Sequence, residues 1–190
     1  MPSDLQQRLG EIEDLVVENR DKVGKRAGVP FIVYTYPPEK ELEAVSEIED
    51  FIEKLEFVEQ TVATLDMREV VFSELEEERQ ILDSVINIEK EDPKELQSGL
   101  KSSLVDGGGD LGPLAQRIAD AANDPETDTV VVYRMGVLYP FASASTLMTQ
   151  LEGDVPTGKP IVFCYPASVD DNTLRFLNES EGTYYRARVF

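Results

Sequence analysis

The spacing of apolar positions along this chain changes repeatedly, and the changes mark out its elements. Residues 3–20 place Leu5, Leu9, Ile12 and Leu15 three and four residues apart, with Val16 alongside, which is the stripe of an amphipathic helix. Ser3 and Gln6 supply the form of a capping box at its start. "PFIVYTYPP" (30–38) is a β-branched and aromatic run closed by two prolines, and it predicts a strand buried on both faces. Leu42, Val45, Ile48, Ile52 and Leu55 then return to helical spacing. "TVATLD" (61–66) predicts a second strand and 68–88 a long helix, and Pro93 opens a shorter helix at its first turn. "VDGGGDLG" (105–112) is a break before an amphipathic helix from Leu114 to Ala122. The remaining pattern predicts a strand "TVVVYRM" (129–135), a helix from about Ser143 to Leu151, and a strand "KPIVFCYP" (159–166). A short helix near Thr173–Leu177 and a closing strand "TYYRARVF" (183–190) complete it.

Strands alternating with helices predict one α/β domain over residues 1–190. Its sheet is mostly parallel, of about five strands, with helices on both faces and right-handed crossovers. The acidic helical segment 39–128 is inserted within that alternation. The glycine loop at 107–109 could divide two halves, but neither half is large enough for its own core. No apolar run approaches the roughly 20 residues that span a bilayer. The opening "MPSDLQQRLGEIEDL" lacks the basic-then-apolar order of a signal peptide. A single cysteine, Cys164, leaves no internal disulfide. These features predict a cytoplasmic protein with no membrane contact.

Charge changes the picture more than size does. The chain carries 38 acidic and 18 basic residues, a net of −20, and no histidine. Residues 39–95 alone hold 20 acids and 6 bases, a net of −14. Such a field repels nucleic acid, because binding draws on basic groups that displace counterions, so no direct nucleic-acid binding is expected. Eight lysines and a pI near 4.3 match a protein of salt-loving cells, the alternative being an acidic mesophilic protein. There the Debye length shrinks to about 3 Å and a carboxylate-rich surface is tolerated.

Without histidine, Ser–His and Cys–His catalysis and histidine-supported zinc sites are excluded. Cys164 lies within an apolar strand run and reads as packing. "DGGGDLG" lacks the spacing of a dinucleotide loop. "PTGKP" (156–160) has Pro160 where a phosphate loop needs Ser or Thr, and it precedes a strand instead of following one. Asp66, at a strand's C-terminal end where α/β sheets bind ligands, reads first as the N-cap of the next helix. No catalytic residue, metal site or cofactor is expected. What remains is aromatic and cationic. Tyr36-Pro37, Tyr139-Pro140 and Tyr165-Pro166 fall at or just after strand exits, where proline fixes how the chain leaves the sheet. If those strands are neighbours, the tyrosines gather on one edge near Arg134. On the closing strand Arg186 and Arg188 share a face with Tyr184 and Phe190. Core packing with local salt bridges would explain these residues; so would a partner-binding surface, since aromatics and arginine dominate interface hot spots.

Several blocks resemble the BrxB family of BREX phage-defence systems. They are "PFIVYTYPPEKE" after an N-terminal helix, "GVLYPFASASTLMTQLEGD" after a strand, "KPIVFCYP", "LRFLN" and the ending "YYRARVF". The chain departs from the family in having Arg134-Met135-Gly136 where a small, glycine-flanked turn is usual. It also has Ala142-Ser143-Ala144-Ser145 where an Arg and a His are favoured. The resemblance implies a small non-catalytic component working beside an ATPase, a DNA methyltransferase and the alkaline-phosphatase-like PglZ. Haloarchaea carry such systems, in keeping with the charge. The expectation is an adaptor that binds PglZ or another BREX component through Arg134, Leu138, Tyr139, Phe141, Arg175, Arg186 and Arg188. The competing expectation is a nucleotide-binding or degenerate ATPase-like domain in which Arg134 and Asp66 converge on a phosphate. A third, a carboxylate–metal enzyme, would need acids grouped at strand ends, whereas most lie on helices.

Overall fold

The apolar run that opens the first strand, Phe31-Ile32-Val33-Tyr34, dictates the layering, because a strand buried on both faces needs helices on both sides. The computed structural model describes residues 3–23, 28–78, 81–106, 111–170, 173–176, 180–181 and 187–190. In chain order these form α1 (Asp4–Val17), β1 (Phe31–Tyr36), α2 (Glu41–Phe57), β2 (Val62–Asp66), α3 (Met67–Ser73), α4 (Leu82–Glu91) and α5 (Pro93–Leu100). There follow α6 (Pro113–Asn123), β3 (Thr129–Tyr133), α7 (Ala144–Leu151), β4 (Ile161–Asp170), β5 (Thr173–Phe176), β6 (Ser180–Glu181) and β7 (Arg188–Val189). Five strands pair in the order β2-β3-β4-β1-β7, all parallel. The α/β sandwich expected from the pattern is therefore the fold.

The strand order explains which helix covers which face. The connection from β1 to β2 runs one way across the sheet, and those from β2 to β3 to β4 run back. Right-handed crossovers of opposite direction emerge on opposite faces. Ile32, Tyr34, Tyr36, Val131, Val162 and Cys164 accordingly pack under α1 and α2. Phe31, Val33, Val130, Val132, Ile161, Phe163 and Tyr165 pack under α3, α6 and α7. Each large apolar side chain buried this way contributes roughly 1.5–3 kcal/mol. The capping box at Ser3 and Gln6 is formed as the pattern predicts.

Four details differ from the pattern. Leu42 lies in the first turn of α2 yet is 89% exposed, and Ala44, Val45, Ile48, Phe51, Ile52 and Leu55 carry the buried stripe instead. The helix expected over 68–88 is not continuous: α3 passes into a π-helical turn at Glu74–Glu78 before α4 begins. The wider turn buries Glu74 beside Leu75, and the Arg117 guanidinium of α6 meets the Glu74 carboxylate at 2.8 Å. The short helix expected near Thr173–Leu177 is instead β5, antiparallel to the end of β4. Four residues alternating polar and apolar fit either period, and the extension of β4 past Pro166 supplies the partner that decides for the strand. Of the expected closing strand, Arg188–Val189 pairs with β1; Tyr184 and Arg186 lie outside the described residues.

Candidate functional site

Parallel strands deliver their C-terminal ends to one edge of the sheet, and there Asp66, Arg134 and Tyr36 gather. Asp66 ends β2 and caps α3, its carboxylate accepting from the N–H groups of Arg68 at 2.9 Å and Glu69 at 3.4 Å. Arg134 follows β3 with φ of 54°, in left-handed backbone. For a residue with a Cβ that conformation costs roughly 1–2 kcal/mol, and surrounding contacts must hold it. They are visible: Nη1 of Arg134 meets the buried Asp66 carboxylate at 3.0 Å, and Nη2 lies 3.6 Å from Glu49 of α2. The guanidinium carbon also sits 5.5 Å from the centre of the Tyr133 ring, within cation–π range.

Glu41, in the first turn of α2, completes this corner and faces the Tyr36 hydroxyl. Burial raises the Glu41 carboxyl above its usual range, against the lowering effect of Tyr36 and of Arg134. Burial, with Glu41 and Cys164 adding to it, pushes the Tyr36 hydroxyl well up, and burial does the same to the Cys164 thiol. Neither group ionises at neutral pH, so Cys164 has the packing role expected of it and no thiolate is available there. Glu41 and Glu49 were not singled out from the sequence. For Glu41 a signal exists, since a helix leaving the C-terminal end of β1 starts its acidic first turn at this edge; Glu49, two turns further on, carries none.

From Arg134 the chain makes a 3₁₀ turn, Met135–Leu138, and then a cis Tyr139–Pro140 bond. Met135, Leu138 and Phe141 are buried in the core under α3, α6 and α7, whereas Tyr139 is 40% exposed. Gly136 packs beside Pro166 of β4, and the Gln97 side chain of α5 donates to the Pro140 carbonyl at 2.9 Å. The apolar loop after β3 is thus a plug that turns one tyrosine outward.

The three Tyr-Pro pairs do not form one surface. Tyr36 ends β1 as expected, but Tyr165-Pro166 lies inside β4, which continues to Asp170. Proline is tolerated at 166 because the β3 ladder has already ended at Val132↔Phe163, leaving a missing N–H without consequence on that side. Tyr36 and Tyr165 are buried on opposite faces of the sheet. Only Tyr139 of the three is exposed.

Of the residues expected to meet a partner, Arg134, Tyr139 and Arg175 share the C-terminal edge. Arg175 is exposed on β5, opposite Ser168 of β4 just beyond Pro166. Leu138 and Phe141 support the edge from below. Arg188 is exposed elsewhere, stacked 4.8 Å from the Phe190 ring on β7 and in register with Ile32. Three strand spacings and three residues of rise separate it from Arg134, roughly 17 Å. Arg186 lies outside the described residues. Arg134 and Asp66 converge as a phosphate site would require. They do so as an ion pair, however, and the Asp66 carboxylate occupies the α3 N-terminus that would otherwise attract an anion. Among the described residues no group of three or more His, Cys, Asp or Glu side chains is arranged to hold a metal ion. No helix of the described residues is long and apolar enough to cross a membrane.

A family model described as BREX protein BrxB matches residues 63–190, two thirds of the chain. The match opens within β2 and takes in Asp66, Arg134, Tyr139 and Arg175, while Tyr36 of β1 and Glu41 and Glu49 of α2 lie ahead of it. No curated protein and no solved structure matches the chain.

Proposed function

The chain belongs to the BrxB family and is thereby a component of a BREX phage-defence system; from that premise we propose that it is a non-catalytic adaptor docking another BREX protein, PglZ, at the C-terminal edge of its sheet. The observation that carries this reading is the division of labour in the loop after β3. Met135, Leu138 and Phe141 anchor it, and Tyr139 is turned outward between them. An arginine retained in left-handed backbone at the head of the same loop supports it, since glycine would be cheaper there. A rigidly based tyrosine on the same sheet edge as Arg134 and Arg175 has the composition of an interface anchor. Glu49 of α2, 3.6 Å from Arg134, adds negative charge at this edge and favours a partner that brings positive charge to the rim.

The test is a titration of purified PglZ with wild type and with Tyr139→Ala, Arg175→Ala and Arg188→Ala, each at an exposed position. Tyr139→Ala and Arg175→Ala are expected to weaken binding at least tenfold, and Arg188→Ala, on the far edge, to leave it within twofold. Equal binding by all four proteins, or no binding by wild type, removes the assignment. Phe141→Ala is a poor substitute, because emptying a buried phenylalanine site costs about 3–5 kcal/mol and would confound folding with docking.

A further inference from the structure

The other end of the sheet carries a second surface. Strand β2 is an edge strand, paired among the described residues with β3 alone. The Thr61 carbonyl accepts from the Asp128 N–H at 2.8 Å, and the Thr61 N–H donates to the Asp128 carboxylate at 3.0 Å. In a parallel ladder alternate residues aim both backbone groups the same way. Ala63 and Leu65 therefore face β3 with Thr61, while the N–H and C=O of Val62 and Thr64 point outward.

Natural sheets guard such an edge with lysine, proline or a bulge. Val62-Ala63-Thr64-Leu65-Asp66 has neither residue and pairs in unbroken register. On the face covered by α1 and α2, Thr64 is exposed and Val62 half-buried, so α2 stops short of the edge. At that corner α2 ends in the most exposed aromatic among the described residues, Phe57 at 89%, next to Val58 at 44%. A left-handed Glu59 turns the chain from there into β2. Glu53, Glu56 and Glu59 are exposed around the pair, with Lys54 the one base between them.

We infer that the open edge of β2 and the Phe57–Val58 corner form a docking site for a basic, extended polypeptide segment that adds as a strand beside Val62 and Thr64. Backbone pairing would supply the affinity of strand addition, and the acidic rim selects the sign of the partner. A second copy fits poorly, because it would bring two chains of net charge −20 edge to edge. The site runs along the outer side of β2 toward its N-terminal end, stopping short of Asp66, and does not depend on what docks at the Tyr139 edge.

The test uses the full chain and a fluorescent nine-residue peptide of alternating lysine and valine, with a proline-interrupted peptide of equal charge as control. Saturable binding of the first peptide is expected, weakened at least tenfold by Thr64→Pro and severalfold by Phe57→Ser. Amide hydrogen exchange is expected to slow at Val62 and Thr64 when it binds. Equal binding of the proline peptide, or binding unchanged in both variants, overturns the inference. So does a dimer of the chain that Phe57→Ser dissolves. Should Thr64→Pro fail to fold, the exposed Phe57→Ser and the amide exchange still decide the matter.

Discussion

Arg134 shows most clearly how one residue can work against its own backbone. Its left-handed φ is unfavourable for any side chain but glycine, and its guanidinium is held by Asp66 and Glu49. Removing it leaves the buried Asp66 carboxylate short of a partner, a loss of about 1–3 kcal/mol. Arg134→Gly recovers the backbone strain whereas Arg134→Ala does not. Urea unfolding is therefore expected to find Arg134→Gly more stable than Arg134→Ala by about 1 kcal/mol; equal stabilities would contradict the strain. Glu41 makes a prediction of opposite character. Its folded pKa is raised, chiefly by burial, so the folded state holds this proton to higher pH than the unfolded chain, whose glutamates titrate at about 4.3. The stability it contributes is full below that value and is lost as pH rises through the raised pKa. Glu41→Gln should accordingly melt higher than wild type at pH 7, with the gap closing toward pH 4. A gap that widens on acidification would show the carboxylate to be a net stabiliser.

At the scale of elements, Gly112 and Gln150 explain how the glycine-rich connection is tied down. Gln150 of α7 donates to the Val105 carbonyl at 2.7 Å and accepts from the Gly112 N–H at 3.2 Å. The two ends approach so closely that a Cβ on Gly112 would collide with the Val105 carbonyl oxygen, whereas one on Gly99 in α5 would meet nothing. Gly112→Ala should lose about 1–3 kcal/mol and Gly99→Ala gain about 0.5–1 kcal/mol from helix propensity. Thermal unfolding of the pair checks the sign of each. The strands, the main helices and their two-sided burial were legible in the sequence, because Phe31–Tyr34 and Val130–Val132 are apolar without interruption. Short elements were not. Thr173–Phe176 fits two periods, and only the run of β4 beyond Pro166 makes it a strand. Leu42 fits the helical stripe by spacing from Val45, yet Ala44, Ile48, Phe51 and Leu55 centre the buried face of α2 to one side of it and leave it in solvent. Of the site, the outward tyrosine and its arginine could be named from the sequence, but the separation of Arg188 from Arg134 depends on the strand order β2-β3-β4-β1-β7.

Across the whole molecule the dominant quantity is a charge of −20, concentrated on the helical segment between β1 and β3. Self-repulsion of this size is relieved as the Debye length falls from about 10 Å at 0.1 M salt to about 3 Å at 1 M. The melting temperature should therefore rise by several degrees between 0.1 and 2 M KCl; a flat or falling curve would contradict the salt-tolerant reading of the surface. The same field is expected to disfavour nucleic acid, and the central proposal is that the Tyr139 edge meets a protein partner. The most direct measurement is an affinity pull-down of the tagged protein from its own cells at molar salt, read by mass spectrometry beside Tyr139→Ala. Stoichiometric recovery of PglZ with wild type, lost with the variant, is the predicted result. Recovery of the chain alone, or of PglZ equally with both proteins, would contradict it.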